Sequence, residues 1–221
     1  MRILAFDTSF EACSAAIVEG ERTLWSEQRL SGRGHAEVLP AMVAEGLRAI
    51  GINVGELDRI GVVVGPGAFA GVRVGVAFAR GLCLGVRARA VGVTSLKALA
   101  ASADAKGLIA PIFDARRGQV YAALYDATLR ERIEPFVAAP EEAARRLMAG
   151  GATTLAGSGA VLVAPHMTAP FETLAIVTID PAAVARLVLA AEVPQQPPSP
   201  LYLRPPDAAA STKGRFEGLL S

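Results

Sequence analysis

Two short segments place an acid at the end of an apolar run and follow it with a turn. They are Asp7-Thr8-Ser9, after Ile3-Leu-Ala-Phe6, and Asp114-Ala115-Arg116-Arg117-Gly118, after Leu108-Ile-Ala-Pro-Ile-Phe113. In the first, the hydroxyls of Thr8 and Ser9 and the N–H groups of the turn can surround a phosphate while Asp7 holds Mg²⁺; the same residues can equally satisfy one another in an ordinary turn. In the second, Arg116 and Arg117 can take an anion or a partner's carboxylate, or stand solvated. Two glycine pairs accompany these acids: Gly65-Pro66-Gly67 and Gly157-Ser158-Gly159. N–H groups ahead of a helix can cradle phosphate, yet no Gly-Lys-Ser/Thr follows either pair, and close packing in a tight turn explains them as well. Neither has the spacing of a nucleophile elbow, so Ser158 is a poor nucleophile.

The chain has two histidines, His35 and His166. Metal sites on helices commonly pair histidines four residues apart, and the residue four after His35 is Leu39. A two-His site on one helix is therefore excluded. His35 reads as a helix-start residue near a cap or a partner, and His166 as a loop residue. No metal ligand set and no catalytic residue emerges.

The elements that must position these residues follow from apolar periodicity. Ile3–Asp7, Cys13–Val18 and Thr23–Leu30 read as an antiparallel meander. After the polar loop Ser31-Gly-Arg-Gly34 come a helix over His35–Ile50, a strand Ile60–Val64, a helix from Gly71 to Leu84, a strand near Ala88–Val91 and a helix from Thr94 to Ala103, capped by Thr94 or Ser95. The second half repeats the plan. Strands are expected at Leu108–Asp114, Gln119–Tyr125 and Leu129–Val137, then a helix starting near Pro140, a strand Thr153–Ala156, a strand Leu174–Val177 and a helix Pro181–Ala191. Each half thus reads βββαβα, with an Asp closing its first strand and a glycine pair after its fourth, the mark of a duplicated α/β architecture. The expected division is a first lobe over 1–105, a second over 106–192, and a crossing segment and tail over 193–221, where six of the fourteen prolines gather between 194 and 206.

The two helices of the first half are the most apolar. Between Gly61 and Leu82 only Arg73 and Arg80 carry charge, and a helix apolar nearly all round must be covered on more than one side. The ladder Gly71, Gly75, Ala79 recurs every four residues, which lets another backbone approach and suggests helix-on-helix packing. The helix over 35–50 adds Leu39, Val43, Leu47 and Ile50 on one stripe, with Val38 and Met42 beside it. Together they read as an assembly surface.

Composition sets the bounds. Of 221 residues 52% are hydrophobic and 19% charged, with net charge +1 and mean hydropathy +0.40. That is apolar enough to point to an extra interface. Three lysines, at 97, 106 and 213, form no basic field, so the chain alone is a poor nucleic-acid binder. Cys13 and Cys83 lack a metal or redox spacing and read as free thiols of a reducing compartment. Asp7 follows only four apolar residues, too few for a leader's core, and glycines and prolines break the long uncharged stretch 147–171, so the cytoplasm is expected.

Two lobes, each with an acid closing its first strand, resemble the duplicated actin/hexokinase-like (ASKHA) fold, in which the two hairpins hold ATP in the cleft between lobes. Six segments in order, Ile3-Leu-Ala-Phe-Asp-Thr-Ser9, His35-Ala-Glu-Val-Leu-Pro40, Gly65-Pro-Gly-Ala-Phe-Ala-Gly-Val-Arg-Val-Gly-Val-Ala77, Gly92-Val-Thr-Ser-Leu96, Asp114-Ala-Arg-Arg-Gly-Gln-Val-Tyr121 and Tyr202-Leu-Arg204, resemble the motifs of the bacterial TsaB (YeaZ) family. The resemblance implies a noncatalytic subunit that pairs with the catalytic TsaD and works with the ATPase TsaE. The complex transfers threonylcarbamoyl to the adenosine beside the anticodon of tRNA, which this subunit meets only through the complex. It implies pairing through the two helices of the first lobe, which carries over to His35, Val38, Leu39, Met42, Val43, Val72, Arg73, Val76 and Arg80. Vestigial phosphate loops would lie at Asp7, Thr8, Ser9, Gly65, Gly67, Asp114, Arg116, Gly157 and Gly159. Where the family loop usually has Ser and Thr this chain has Ala68 and Ala70, so two hydroxyls are gone; no cofactor is required, and ATP or ADP at this loop is disfavoured. Two rival readings remain: a small ATP-dependent kinase or ATPase using Asp7 and Thr8, and a homodimeric binding module whose first-lobe helices pair with themselves.

Overall fold

The computed structural model describes residues 1–30, 34–103 and 105–204. The loop residues 31–33, the prolines at 205 and 206 and the tail from Asp207 lie outside the described residues. Strands β1 (Arg2–Asp7), β2 (Ala12–Glu19) and β3 (Arg22–Leu30) form the expected meander. They are followed by α1 (His35–Ala49), β4 (Arg59–Val63), α2 (Phe69–Gly85), β5 (Arg89–Val93) and α3 (Ser95–Ala103). The second half runs β6 (Ile109–Arg116), β7 (Gln119–Tyr125), β8 (Glu131–Ala138), α4 (Pro140–Ala149), β9 (Thr154–Ala156), the single turn α5 (Ala160–Val163), β10 (Glu172–Leu174) and α6 (Pro181–Ala190). The last strand thus ends where sequence reasoning starts it, at Leu174. No helix among the described residues is long and apolar enough to cross a membrane.

The two sheets have one topology, β3-β2-β1-β4-β5 and β8-β7-β6-β9-β10. In each, the first strand pairs antiparallel with its hairpin partner and parallel with the strand that follows the helix. Strands β1 and β2 are buried on both faces, which is why they read as unbroken apolar runs, whereas the edge strand β3 alternates and carries the charge.

Five layers result. Leu4 and Phe6 point to the outer face of the first sheet, where α1 and α2 pack, and Ile3 and Ala5 point to the inner face, as the two-residue period of a strand requires. The outer face of the second sheet carries α4 and α5. Between the sheets lie α3 and α6, in contact with each other and exchanged: α6 packs on β1, β2 and β4 of the first sheet, and α3 on β6 and β7 of the second. Arg59 at the start of β4 fixes the exchange by donating to the carbonyls of Val188 (2.6 Å) and Ala191 (2.7 Å) at the end of α6. Thr94 caps α3 by accepting from the Lys97 N–H, and Asp180 caps α6 by accepting from Ala182.

Candidate functional site

A cleft of 1580 Å³ opens between the halves. The turn after β1 enters it from one side and the turn after β6 from the other, and a glycine pair backs each. Gly65 and Gly157 occupy equivalent places, after β4 and after β9, and share a left-handed backbone with φ of 98° and 105°. Glycine is required there by space as well as conformation. A Cβ at Gly157 would lie 2.1 Å from the Ile112 carbonyl oxygen, and one at Gly67 2.4 Å from that of Ser9.

The polar groups of the first turn are engaged within the protein. Thr8 Oγ1 donates to the Gly71 carbonyl at 2.7 Å, and the Ser9 N–H and hydroxyl both donate to Asp7 Oδ1, at 2.8 and 2.6 Å. The Ser9 carbonyl accepts from the Ala68 N–H at 2.7 Å. Burial pushes the Asp7 carboxyl up from its ordinary range, opposed by the Ser9 hydrogen bonds and by the charge of His35. The second turn is built alike: Asp114 Oδ1 accepts from the Arg116 N–H at 2.7 Å, and Ser158 Oγ accepts from the Asp114 N–H. Arg116 and Arg117 both take positive φ, 62° and 56°.

The two turns also hold each other. The Phe10 ring stacks on Phe113, and the Arg116 guanidinium reaches Glu11 at 3.3 Å. Between the hairpins lie this aromatic stack and the Glu11–Arg116 pair, with Arg73 and Arg204 also lining the cleft, and the hydroxyls of Thr8 and Ser9 are committed within the protein. Ala68 and Ala70 bring no further hydroxyl to this side of the cleft.

The residues assigned to a partner face fall into three groups. Leu39, Met42, Val43, Val72 and Val76 belong to the core under the first sheet, each no more than 3% exposed, so they have no surface to give a partner. Val38 is half-buried, and His35 begins α1 at the cleft wall, its Nε2 buried without a hydrogen-bond partner. Arg73 and Arg80 are exposed but occupied by the chain's own segment after α6. Arg73 lies 3.7 Å over the Phe69 ring and donates to the Tyr202 hydroxyl at 2.9 Å, and Arg80 donates to the Pro198 carbonyl at 2.8 Å. The glycine ladder is also explained internally. A Cβ at Gly71 would sit 2.0 Å from the Thr8 carbonyl oxygen, and one at Gly75 2.7 Å from Thr8 Oγ1, so the backbone that approaches α2 is the β1–β2 turn rather than a second helix.

The open side of α2 is made of other residues. Ala70, Val74, Ala77, Gly81 and Leu84 follow one another at steps of four and three, which keeps them on one helical face opposite the buried Val72, Val76 and Ala79. Leu84 is 91% exposed, and a Cβ at Gly81 would meet nothing within 4 Å. On α1, Pro40, Ala41 and Ala44 are exposed among Glu37, Glu45 and Arg48. Sequence reasoning chose the larger apolar residues of these helices, which are the core. The legible signal for the outer face was the run of small residues at heptad spacing.

Comparison with known proteins places this architecture. Residues 27–202 match the family model described as TsaD, tRNA N6-adenosine threonylcarbamoyltransferase. An Escherichia coli protein, the tRNA threonylcarbamoyladenosine biosynthesis protein TsaB, is 37% identical over 57% of this chain. The chain spans about half the length of the curated relatives it matches, 55% in that case. A Pseudomonas aeruginosa structure, described as similar to peptidase YEAZ, superposes with a TM-score of 0.79 at 30% identity, covering 92% of this chain and 99% of its own. The activator of 2-hydroxyisocaproyl-CoA dehydratase from Clostridium difficile superposes with a TM-score of 0.53 at 12% identity over 86% of this chain and 94% of its own, a likeness of fold alone. The duplicated sheet order is that of the actin/hexokinase-like fold, and with a YeaZ-like structural relative at 30% identity over nearly the whole chain and curated TsaB relatives beside it, the chain belongs to the TsaB/YeaZ family.

Proposed function

We propose that this chain is a noncatalytic subunit in the biosynthesis of threonylcarbamoyladenosine on tRNA, pairing with TsaD through the open face of α2 and the adjoining helix α1. The observation that carries this reading is the seam Ala70-Val74-Ala77-Gly81-Leu84, an apolar face on which Ala70, Ala77, Gly81 and Leu84 are exposed and Val74 half-buried, opposite the buried side of the helix. Small side chains at heptad spacing admit a second helix at close range, and a monomer gains nothing by exposing Leu84. The Escherichia coli relative, a tRNA threonylcarbamoyladenosine biosynthesis protein, supports the pathway, and the match to a TsaD family model supports a partner of the same fold.

On this reading the reactive centre belongs to TsaD, TsaE joins the assembly, tRNA is met only through the complex, and the complex works in the cytoplasm. No cofactor is needed in this chain, and the engaged hairpins argue against ATP or ADP in its cleft.

The test is co-expression with TsaD followed by size-exclusion chromatography of Ala77→Arg and Gly81→Arg. Both positions are exposed, so the monomer stays folded while an arginine blocks helix-on-helix approach. Loss of the heterodimer supports the placement; full co-elution of both variants with TsaD rejects it, and a wild-type chain that self-associates and ignores TsaD favours the homodimeric module.

A further inference from the structure

We propose that the strap Pro194–Arg204 is a latch that holds the two halves of the molecule at one opening of the cleft. The strap leaves α6, which packs on the first sheet, and stays on the first half for nearly its whole length. Arg89 donates to the Pro194 carbonyl at 3.2 Å, Arg80 to the Pro198 carbonyl, and the Leu201 N–H donates to the Val64 carbonyl at 2.7 Å. A strap with prolines at 194, 197, 198 and 200 has few N–H groups to satisfy but keeps every carbonyl, and the arginines of α2 and β5 supply the donors it needs. Its bed is shaped for it. A Cβ at Gly65 would lie 2.9 Å from the Leu201 carbonyl oxygen, and one at Gly92 3.2 Å from Pro198 Cβ.

At Tyr202 the strap reaches the mouth of the cleft. The ring lies 5.0 Å from that of Phe69, and its hydroxyl accepts from Arg73, so Arg73 is held by both aromatic residues. Two residues on, the strap changes sides. Arg204 donates to the Ala115 carbonyl at 3.3 Å and to Gln119 Oε1, both on the β6–β7 hairpin of the second half. That hairpin is the piece held from the other direction by Glu11 and Phe10. The first half therefore grips one hairpin of the second from two separate chain segments, and Arg204 is the only contact by which the strap crosses, among the hydrogen bonds of the described residues. Releasing it leaves Tyr202 anchored and the hairpin held only by Phe10 and Glu11, a weaker grip that admits wider openings of the cleft.

The test measures the distance between the halves. Spin labels at Ala44→Cys on α1 and Arg145→Cys on α4, in a Cys83→Ala background, give the interlobe distance distribution of the full chain by double electron–electron resonance. The intact strap gives one narrow peak, and Arg204→Ala adds a longer second population. Gln119→Ala removes the side-chain acceptor at a half-buried position, leaves Arg204 the Ala115 carbonyl, and gives the same second population in smaller proportion, with no further change when it is added to Arg204→Ala. Distributions that superimpose on the unmodified strap in Gln119→Ala, or in a cooperatively melting Arg204→Ala, overturn the latch. Should Arg204→Ala fail to fold, Gln119→Ala alone decides.

Discussion

Phe10 and Phe113 lie face to face across the two halves, ring centroids 3.9 Å apart and planes 24° from parallel. Phe113 is fully buried and Phe10 half-buried, so the turn after the first strand of one half rests on the first strand of the other. Aromatic pairs of this kind contribute about 0.5–1.5 kcal/mol beyond their area. A double-mutant cycle on urea unfolding of Phe10→Ala, Phe113→Ala and the double variant returns a coupling in that range, on top of a loss of about 3–5 kcal/mol for Phe113→Ala alone. A coupling of zero contradicts the stack.

Val76 and Gly81 sit on the same helix and differ in kind. Val76→Glu buries a charge in the core, so the variant unfolds or aggregates before any partner is tested. Gly81→Arg keeps the wild-type melting temperature within about 2 °C, since exposed substitutions change stability by roughly 0.5 kcal/mol or less, and, on the proposed pairing, abolishes co-elution with TsaD. Melting curves beside the chromatography separate the two effects.

Asp7 gives stability a sign with pH. Burial raises its native ionisation above the 3.8 of an ordinary Asp. Between those values the native chain holds a proton that the unfolded chain has released, so stability falls as pH rises through that window and stays lower above it. Asp7→Asn keeps an acceptor for the Ser9 N–H and hydroxyl without the charge. Urea midpoints between about pH 3 and pH 8 therefore show a variant that gains on wild type as pH rises. A difference that stays flat with pH contradicts the assignment.

The two thiols differ in reach. Cys13 is fully buried, and burial, with the nearby Asp7 charge, pushes its thiol up to about 11; Cys83 is half-buried and also raised by burial. A thiol reagent at about pH 8 modifies Cys83 slowly and leaves Cys13 untouched until denaturant is added. Two equivalents consumed by the native protein at the same rate refute this.

Much of the fold was legible because it repeats. Asp7 and Asp114 end equivalent strands, and Gly65 and Gly157 turn at equivalent places with one backbone conformation. The candidate face was legible only as a helix. Val72 and Val76 have the periodicity of either a core or an interface, and α2 is apolar nearly all round because the sheet, the strap and the open seam divide its circumference. Nothing local marks Tyr202 as the acceptor for Arg73, and the Phe10–Phe113 stack joins residues that no pattern relates. Which sheet a helix covers is likewise invisible in its sequence, because α3 and α6 are amphipathic in the same manner and exchange places.

That exchange makes the duplication indivisible. The chain up to residue 103 builds the first sheet but not α6, the lid for Ile3, Ala5 and Val63 on its inner surface. A fragment cut between the halves would strand a greasy plane in water on each piece, so neither half folds to solubility without the other.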